Sequence, residues 1–431
     1  MREPFQDRTV LLLLALVVLS LLATACSQQQ VQAVYNVLDF RWRRLQIRWF
    51  GLPTPGLGQR GVIRGRVYDA DGHPLADAVV LVATATGEVY DARSDKVGRY
   101  RIEQVPAGVY VPAAGKWGYE ESILRLPDGR RAAVAVHAGL VTDNVDMTLK
   151  RRQLIRPPTD VPIGLSPPLT VTEDFPGQVY ARLITVTFPS GGLVLSNTLI
   201  YEPITATHPL PTLLTVYPSP ALNWNPASVA FASQGLVVVA VGPASARGLD
   251  IDGHARDVLQ VATLLRAGRL SSYADPNRLA LLNGSFGSLI LFRALPDLPD
   301  ACCLVQVGGV SDGFLGVQAL YREDLQIPPP YDAAVAALGR PDWYPDVLLR
   351  YSPAFYATDL PPTLVIHTQV DRVIPYDQAI RFDQALAAAG TPHQLLLYED
   401  VTHYLNVEEP SPAAAEMFWT IVQFLRKWGA R

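Results

Sequence analysis

Ser285, Asp371 and His403 are the residues whose types, order and settings allow nucleophilic chemistry. Leu279-Ala280-Leu281-Leu282 reads as a short buried strand, and Asn283-Gly284-Ser285-Phe286-Gly287 follows it as a tight turn. Ser288 to Leu295 then has the composition of a helix packed on a sheet. A serine at such a strand-to-helix turn is lifted clear of the sheet. The N–H of the next residue, Phe286, stands at a helix N-terminus, where it can meet a developing oxyanion. Gly284 and Gly287 let backbone approach backbone. A serine hydroxyl needs a base, and the base needs an orienting carboxylate. Asp371 lies just past the apolar strand Thr363–His367, and His403 lies past the strand Gln394–Tyr398. Both expected partners therefore sit in loops at the carboxyl ends of strands, in the order Ser, Asp, His.

The elements that must position this trio begin at a hairpin. Val179–Phe188 and Leu193–Tyr201 are strands around Pro189-Ser190-Gly191-Gly192. Strands and helices then alternate. Leu213–Tyr217, Leu236–Val241, Leu279–Leu282, Cys302–Val307, Thr363–His367 and Gln394–Tyr398 are strands; Pro226–Ser233, Asp257–Leu265, Asp377–Ala389 and Ala413–Trp428 are helical. This order predicts an α/β fold, a mostly parallel sheet with helices on both faces. Ser311 to Arg350 interrupts the alternation and carries Phe314, Tyr321, Pro328-Pro329-Pro330, Tyr331, Trp343 and Tyr344. It reads either as a lid whose rings line an acyl pocket or as a structural excursion.

Several of these segments carry a family resemblance. Ala274-Asp275-Pro276-Asn277-Arg278-Leu279 resembles the D-P-x-R-L lead of the prolyl oligopeptidase family, a group of α/β-hydrolases with related esterases and dienelactone hydrolases. Asn283-Gly284-Ser285-Phe286-Gly287-Ser288 resembles its G-G-S-Y-G-G elbow. Ser352-Pro353, Pro361 to His367, Asp371 and Val373-Ile374-Pro375 resemble its S-P…P-x-L-x-x-H-G-x-x-D-x-x-V-P segment. The resemblance runs from about Val179 to Arg431. It implies Ser285 as nucleophile, His403 as base and Asp371 as orienter. Thr368 and Asn283 stand where the family has glycine. The H-G-G of the oxyanion loop is replaced by Pro218-Ser219-Pro220-Ala221-Leu222. Proline has no N–H, so the second donor beside Phe286 is expected at Ala221 or a neighbour, or at the hydroxyl of Ser219 or Tyr217. His367 reads as a packed core histidine and His254 as part of a helix cap.

The chain has 431 residues, 49% apolar and 18% charged, with a net charge of −4. This suits a folded protein of two or three domains and supplies no basic field for nucleic acid. Its three cysteines, Cys26, Cys302 and Cys303, form no disulfide framework and no zinc-ligand pattern. Leu11 to Leu22 is apolar and runs into Ala23-Thr24-Ala25-Cys26. Residues 1–26 thus read as a signal peptide that resembles a bacterial lipoprotein's lipobox, or as an uncleaved anchor. Residues 27–60 are a juxtamembrane segment and linker, in which Tyr35 to Phe50 mixes arginine and tryptophan. That segment is either an interfacial helix or a helix docked on its own protein. From Gly61 to Lys150 short alternating strands with turn signals predict an all-β sandwich. The runs G-R-V-Y-D-A-D-G-H-P-L-A-D-A-V-V, S-D-K-V-G-R-Y-R-I and P-A-G-V-Y, with Gly118-Tyr119, resemble the carboxypeptidase regulatory-like domain. That resemblance implies a seven-stranded spacer or adhesion module without catalytic residues, with carbohydrate as a partner it could bind. Residues 151–178 read as a linker, and 179–431 as the catalytic domain.

The function expected from this reading is a membrane-anchored, extracytoplasmic serine hydrolase that needs no metal or organic cofactor. Its substrate is a peptide, or a small or polysaccharide-linked acyl ester. The family's β-propeller has no counterpart in the sequence, so an esterase stands beside a peptidase. A catalytically silent hydrolase fold used for binding is the alternative that the rebuilt oxyanion loop motivates.

Overall fold

The computed structural model describes residues 28–51, 59–322, 325, 338–399, 401, 403 and 411–429. The expected signal or anchor segment 1–26, most of the linker before Gln59 and the triple proline with Tyr331 lie outside the described residues. A ten-stranded sheet forms the larger domain. Its strands are β1 (Gly164–Leu165), β2 (Leu169–Glu173), β3 (Val179–Ser190), β4 (Leu193–Pro203), β5 (Leu210–Val216), β6 (Val237–Val241), β7 (Ala274–Gly284), β8 (Cys303–Val307), β9 (Thr363–Thr368) and β10 (His393–Tyr398). The order is β1-β3-β4-β6-β5-β7-β8-β9-β10, with β2 also on β3. From β6 to β10 every pairing is parallel, and the β3–β4 hairpin joins antiparallel.

Residues 151–178 were expected as a linker, and the structure corrects this. Leu169 to Glu173 runs antiparallel to Leu183 to Val179 and extends the sheet edge. Its prolines suggested a linker, but an edge needs few N–H donors and tolerates them.

The helices are α1 (Gln28–Phe50), α2 (Asn225–Ser233), α3 (Ile251–Arg266), α4 (Phe286–Ala294), α5 (Gly313–Arg322), α6 (Pro345–Leu349), α7 (Asp377–Ala389) and α8 (Pro412–Trp428). Apolar side chains of α3, α4 and α7 bury one face of the sheet, and those of α2 and α8 bury the other. Strands β5 and β6 are therefore covered on both sides. They read as continuous apolar runs instead of alternating ones.

Residues 60–149 form the β-sandwich. Two four-stranded sheets and a two-stranded ribbon replace the seven strands expected. Its strand Val79–Ala83 is buried at every position. Val80 and Val82 face the sandwich core. Val79, Leu81 and Ala83 face outward and pack on Phe314, Val317, Leu320, Leu348 and Leu349 of α5 and α6. The sandwich is thus fixed to the hydrolase by an apolar interface. Gln318 Nε2 donates to the Gly87 carbonyl at 2.8 Å, and the buried pair Arg152–Asp297 closes at 2.6 Å. Phe314 is fully buried and Tyr321 nearly so. These two rings are held between domains and cannot line a pocket, as a lid would require.

Candidate active site

The elbow forms because β7 ends against β8 and the chain turns at once into α4. Ser285 donates its N–H to the Val307 carbonyl at 3.1 Å. It adopts φ 47° and ψ −126°, a conformation that an L-residue holds only under constraint. The constraint comes from the next turn. Ser288 Oγ donates to the Ser285 carbonyl at 2.6 Å and accepts the Val310 N–H at 2.9 Å. Ser288 is fully buried. Its place in the elbow was not read from the sequence, where it appeared only as the first residue of a helix. A Cβ on Gly287 would lie 2.1 Å from the Val216 carbonyl oxygen. Only glycine permits this contact between the start of α4 and the end of β5.

Asp371 and His403 meet the serine from the next two strands. Ser285 Oγ lies 2.9 Å from His403 Nε2, and His403 Nδ1 lies 2.6 Å from Asp371 Oδ2. A carboxylate only accepts, so Nδ1 carries the proton and Nε2 faces the hydroxyl as an acceptor. The three residues expected from the sequence are brought into one hydrogen-bonded line. Asp371 Oδ1 accepts the N–H groups of Val373 and Ile374 at 2.8 and 2.9 Å. The Asp371 side chain is wholly buried. Burial opposes its ionisation, but hydrogen bonds from His367, His403 and the Ile374 N–H, with attraction to His403 once that ring is protonated, outweigh it. They hold the carboxyl well below its usual range. His367 is buried as expected, yet it is more than filler. Its Nε2 donates to the Ile374 carbonyl at 2.8 Å and lies 3.4 Å from Asp371 Oδ2, so it braces the loop that carries the carboxylate.

The loop after β5 lies beside this trio. Phe286 is the first residue of α4, and Ala221 opens a short 3-10 turn, Ala221–Trp224. The Tyr217 hydroxyl is engaged with Ser228 Oγ at 3.0 Å, and its ring stacks on Trp224 at 4.9 Å. Ser219 Oγ accepts from Trp224 Nε1 at 2.9 Å. The Tyr217 hydroxyl is thus paired with α2, while Ser219 Oγ, which accepts here, keeps its own O–H to donate. The Ala221 N–H has Gly242 at its back, where a Cβ would come within 2.6 Å of the nitrogen.

Three other sequence readings resolve here. His254 lies inside α3, where its Nε2 faces the Gly248 carbonyl at 3.0 Å; Asp250 is the cap, accepting the Gly253 N–H. Asn283, in place of an expected glycine, is fully buried next to Gln306 in the β7–β8 register. Cys302 and Cys303 are free thiols.

With that geometry in hand, residues 245–430 match the model of the prolyl oligopeptidase family. Residues 62–150 match the carboxypeptidase regulatory-like domain. The chain is 28% identical over 176 residues to the mouse (Mus musculus) acylamino-acid-releasing enzyme, across 36% of its own length. It is 26% identical over 209 residues to dipeptidyl-peptidase 5 of Schizosaccharomyces pombe, across 42% of the chain. The matches span only 22% and 27% of those two relatives' lengths. Among solved structures, the Pyrococcus horikoshii acylaminoacyl peptidase aligns with 84% of the chain and 63% of its own, at 14% identity and a TM-score of 0.47. A fungal esterase from Rhizomucor miehei aligns with 62% of the chain and 86% of its own, at 16% identity and a TM-score of 0.47.

Proposed function

We propose that the protein is a serine hydrolase that transfers an acyl group from a peptide or ester to water through an acyl-enzyme. The observation that carries this is the line Ser285–His403–Asp371 with the serine in a constrained elbow. Ser285 Oγ attacks the carbonyl carbon and gives its proton to His403 Nε2. Asp371 fixes the imidazole tautomer and stabilises the imidazolium. The N–H of Phe286, and that of Ala221, stabilise the tetrahedral oxyanion. His403 then protonates the leaving group, and water reverses the sequence on the acyl-enzyme.

The names of the two curated relatives support an acyl donor at the amino end of a short peptide. A small ester requires the same groups. The apolar run Leu11–Leu22 and the Ala23-Thr24-Ala25-Cys26 sequence support tethering to a membrane with the folded domains outside the cytoplasm. A panel of chromogenic esters, aminoacyl amides and acylaminoacyl amides, run on wild type beside Ser285→Ala, tests the reading. Turnover that depends on Ser285 is expected in at least one class. Equal rates for both proteins across the panel would refute it.

A further inference from the structure

Helix α1 is apolar on two opposite sides. Phe40 is buried against the Tyr321 ring at 4.9 Å, and Val37 and Ile47 pack with it on the insertion and the sandwich. At roughly 100° per residue, Phe40 and Ile47 share one face, and Val34, Leu38, Trp42, Leu45 and Trp49 line the face opposite. Those five are exposed by 47, 51, 55, 41 and 64%. The spacing i, i+4, i+8, i+11, i+15 is that of a continuous stripe, so docking one side of the helix aims the other outward. Among the described residues no helix is long and apolar enough to cross a membrane. A continuous apolar stripe exposed in this way calls for an occupant.

The geometry points to an anionic lipid surface, with α1 lying flat on it. Three observations choose this occupant. First, Cys26 and the apolar run before it end two residues ahead of α1, so the stripe begins where the sequence reads as membrane-tethered. Second, the charge is complementary. The whole chain carries −4, yet Gln28–Phe50 has Arg41, Arg43, Arg44 and Arg48 against Asp39 alone. Asp39 is spent on Arg43 at 2.8 Å, while Arg41 and Arg48 are exposed beside the stripe. Third, Trp42 and Trp49 punctuate the stripe, and their rings suit the headgroup boundary. Because Phe40 seats α1 against Tyr321 in the cluster between the domains, a helix lying flat would bias the orientation of the hydrolase to the bilayer.

This inference rests on the tethered reading, and the experiment separates the two. Full-length protein is reconstituted into vesicles of phosphatidylglycerol with brominated acyl chains, which quench only nearby tryptophan. Trp42 and Trp49 lie about 21 and 31 Å along the helix from Gln28 at 1.5 Å per residue. A helix standing off the membrane would keep both out of reach. Quenching of wild type, lost in the conservative Trp42→Phe/Trp49→Phe variant, is the expected result. Protein that floats with the vesicles but shows equal quenching in both forms would overturn the flat helix and leave the tether. Protein that fails to float at all would overturn the tether reading and the flat helix with it. A detergent-solubilised dimer whose cross-links join Leu45→Cys to Leu45→Cys would overturn the lipid assignment in favour of a second copy.

Discussion

Replacing Gly287 with alanine isolates a contact on which the proposed oxyanion site depends. The new Cβ would lie 2.1 Å from the Val216 carbonyl oxygen, 2.9 Å from the Val216 carbonyl carbon and 3.1 Å from the Tyr217 carbonyl carbon. All three atoms are backbone, so no side chain can swing away. Real Cβ contacts are essentially never under 3.0 Å. The start of α4 and the end of β5 must therefore part by about 1 Å, the scale of misplacement at which rates fall by about 10². The parting falls between the Phe286 N–H on one side and the loop that carries Ala221 on the other. Gly284→Ala is the control in the same turn, because its Cβ would meet only the Val307 carbonyl oxygen, at 3.3 Å. The assay is the second-order rate of fluorophosphonate labelling, with a thermal melt to show that each variant is folded. Gly287→Ala is expected to slow labelling about 10²-fold while Gly284→Ala slows it less than about tenfold. A folded Gly287→Ala protein that labels as fast as wild type would refute the reasoning, since the oxyanion site would then not depend on this contact.

Asp371→Asn keeps the shape of the triad but loses the fixed tautomer, and kcat is expected to fall by about 10³–10⁴ with little change in KM; steady-state kinetics on the best panel substrate check it. The Asp371 carboxyl is held below its unfolded value of about 3.9, so its contribution to stability is complete above about pH 4 and is lost as pH falls toward the folded-state value. Melting temperature against pH should show that acid loss shrink in Asp371→Asn. Phe314→Ala removes a fully buried ring from the interface between the domains and is expected to cost about 3–5 kcal/mol in denaturant unfolding. A cost under about 1 kcal/mol would mean that the sandwich is not held by this contact.

The sheet and the trio were legible because both rest on local signals. Continuous apolar runs such as Leu236–Val241 mark strands covered on both faces, and Asp371 and His403 each follow such a run at the carboxyl end. The edge strand Leu169–Glu173 was hidden by neighbouring prolines, which an edge tolerates. The docking of the sandwich was not legible, because Val79–Ala83 looks the same whether its second face meets water or another domain. Only the partners Phe314 and Leu348, far away in sequence, decide it. Ser288 was missed for a similar reason. Its role lies in one side-chain hydrogen bond to the Ser285 carbonyl, and no spacing rule announces that. In the oxyanion loop the sequence excluded Pro218 and Pro220 as donors. It could not show that the Tyr217 hydroxyl pairs with Ser228, or that Trp224 Nε1 donates to Ser219 Oγ.

The central claim is that Ser285 is a nucleophile activated by His403. The most direct test is stoichiometric fluorophosphonate labelling followed by peptide mapping. One label per chain on the peptide that contains Ser285 is predicted, with none in Ser285→Ala and strongly slowed labelling in His403→Ala. A folded wild-type protein that takes no label, or takes it at another residue, would contradict the account.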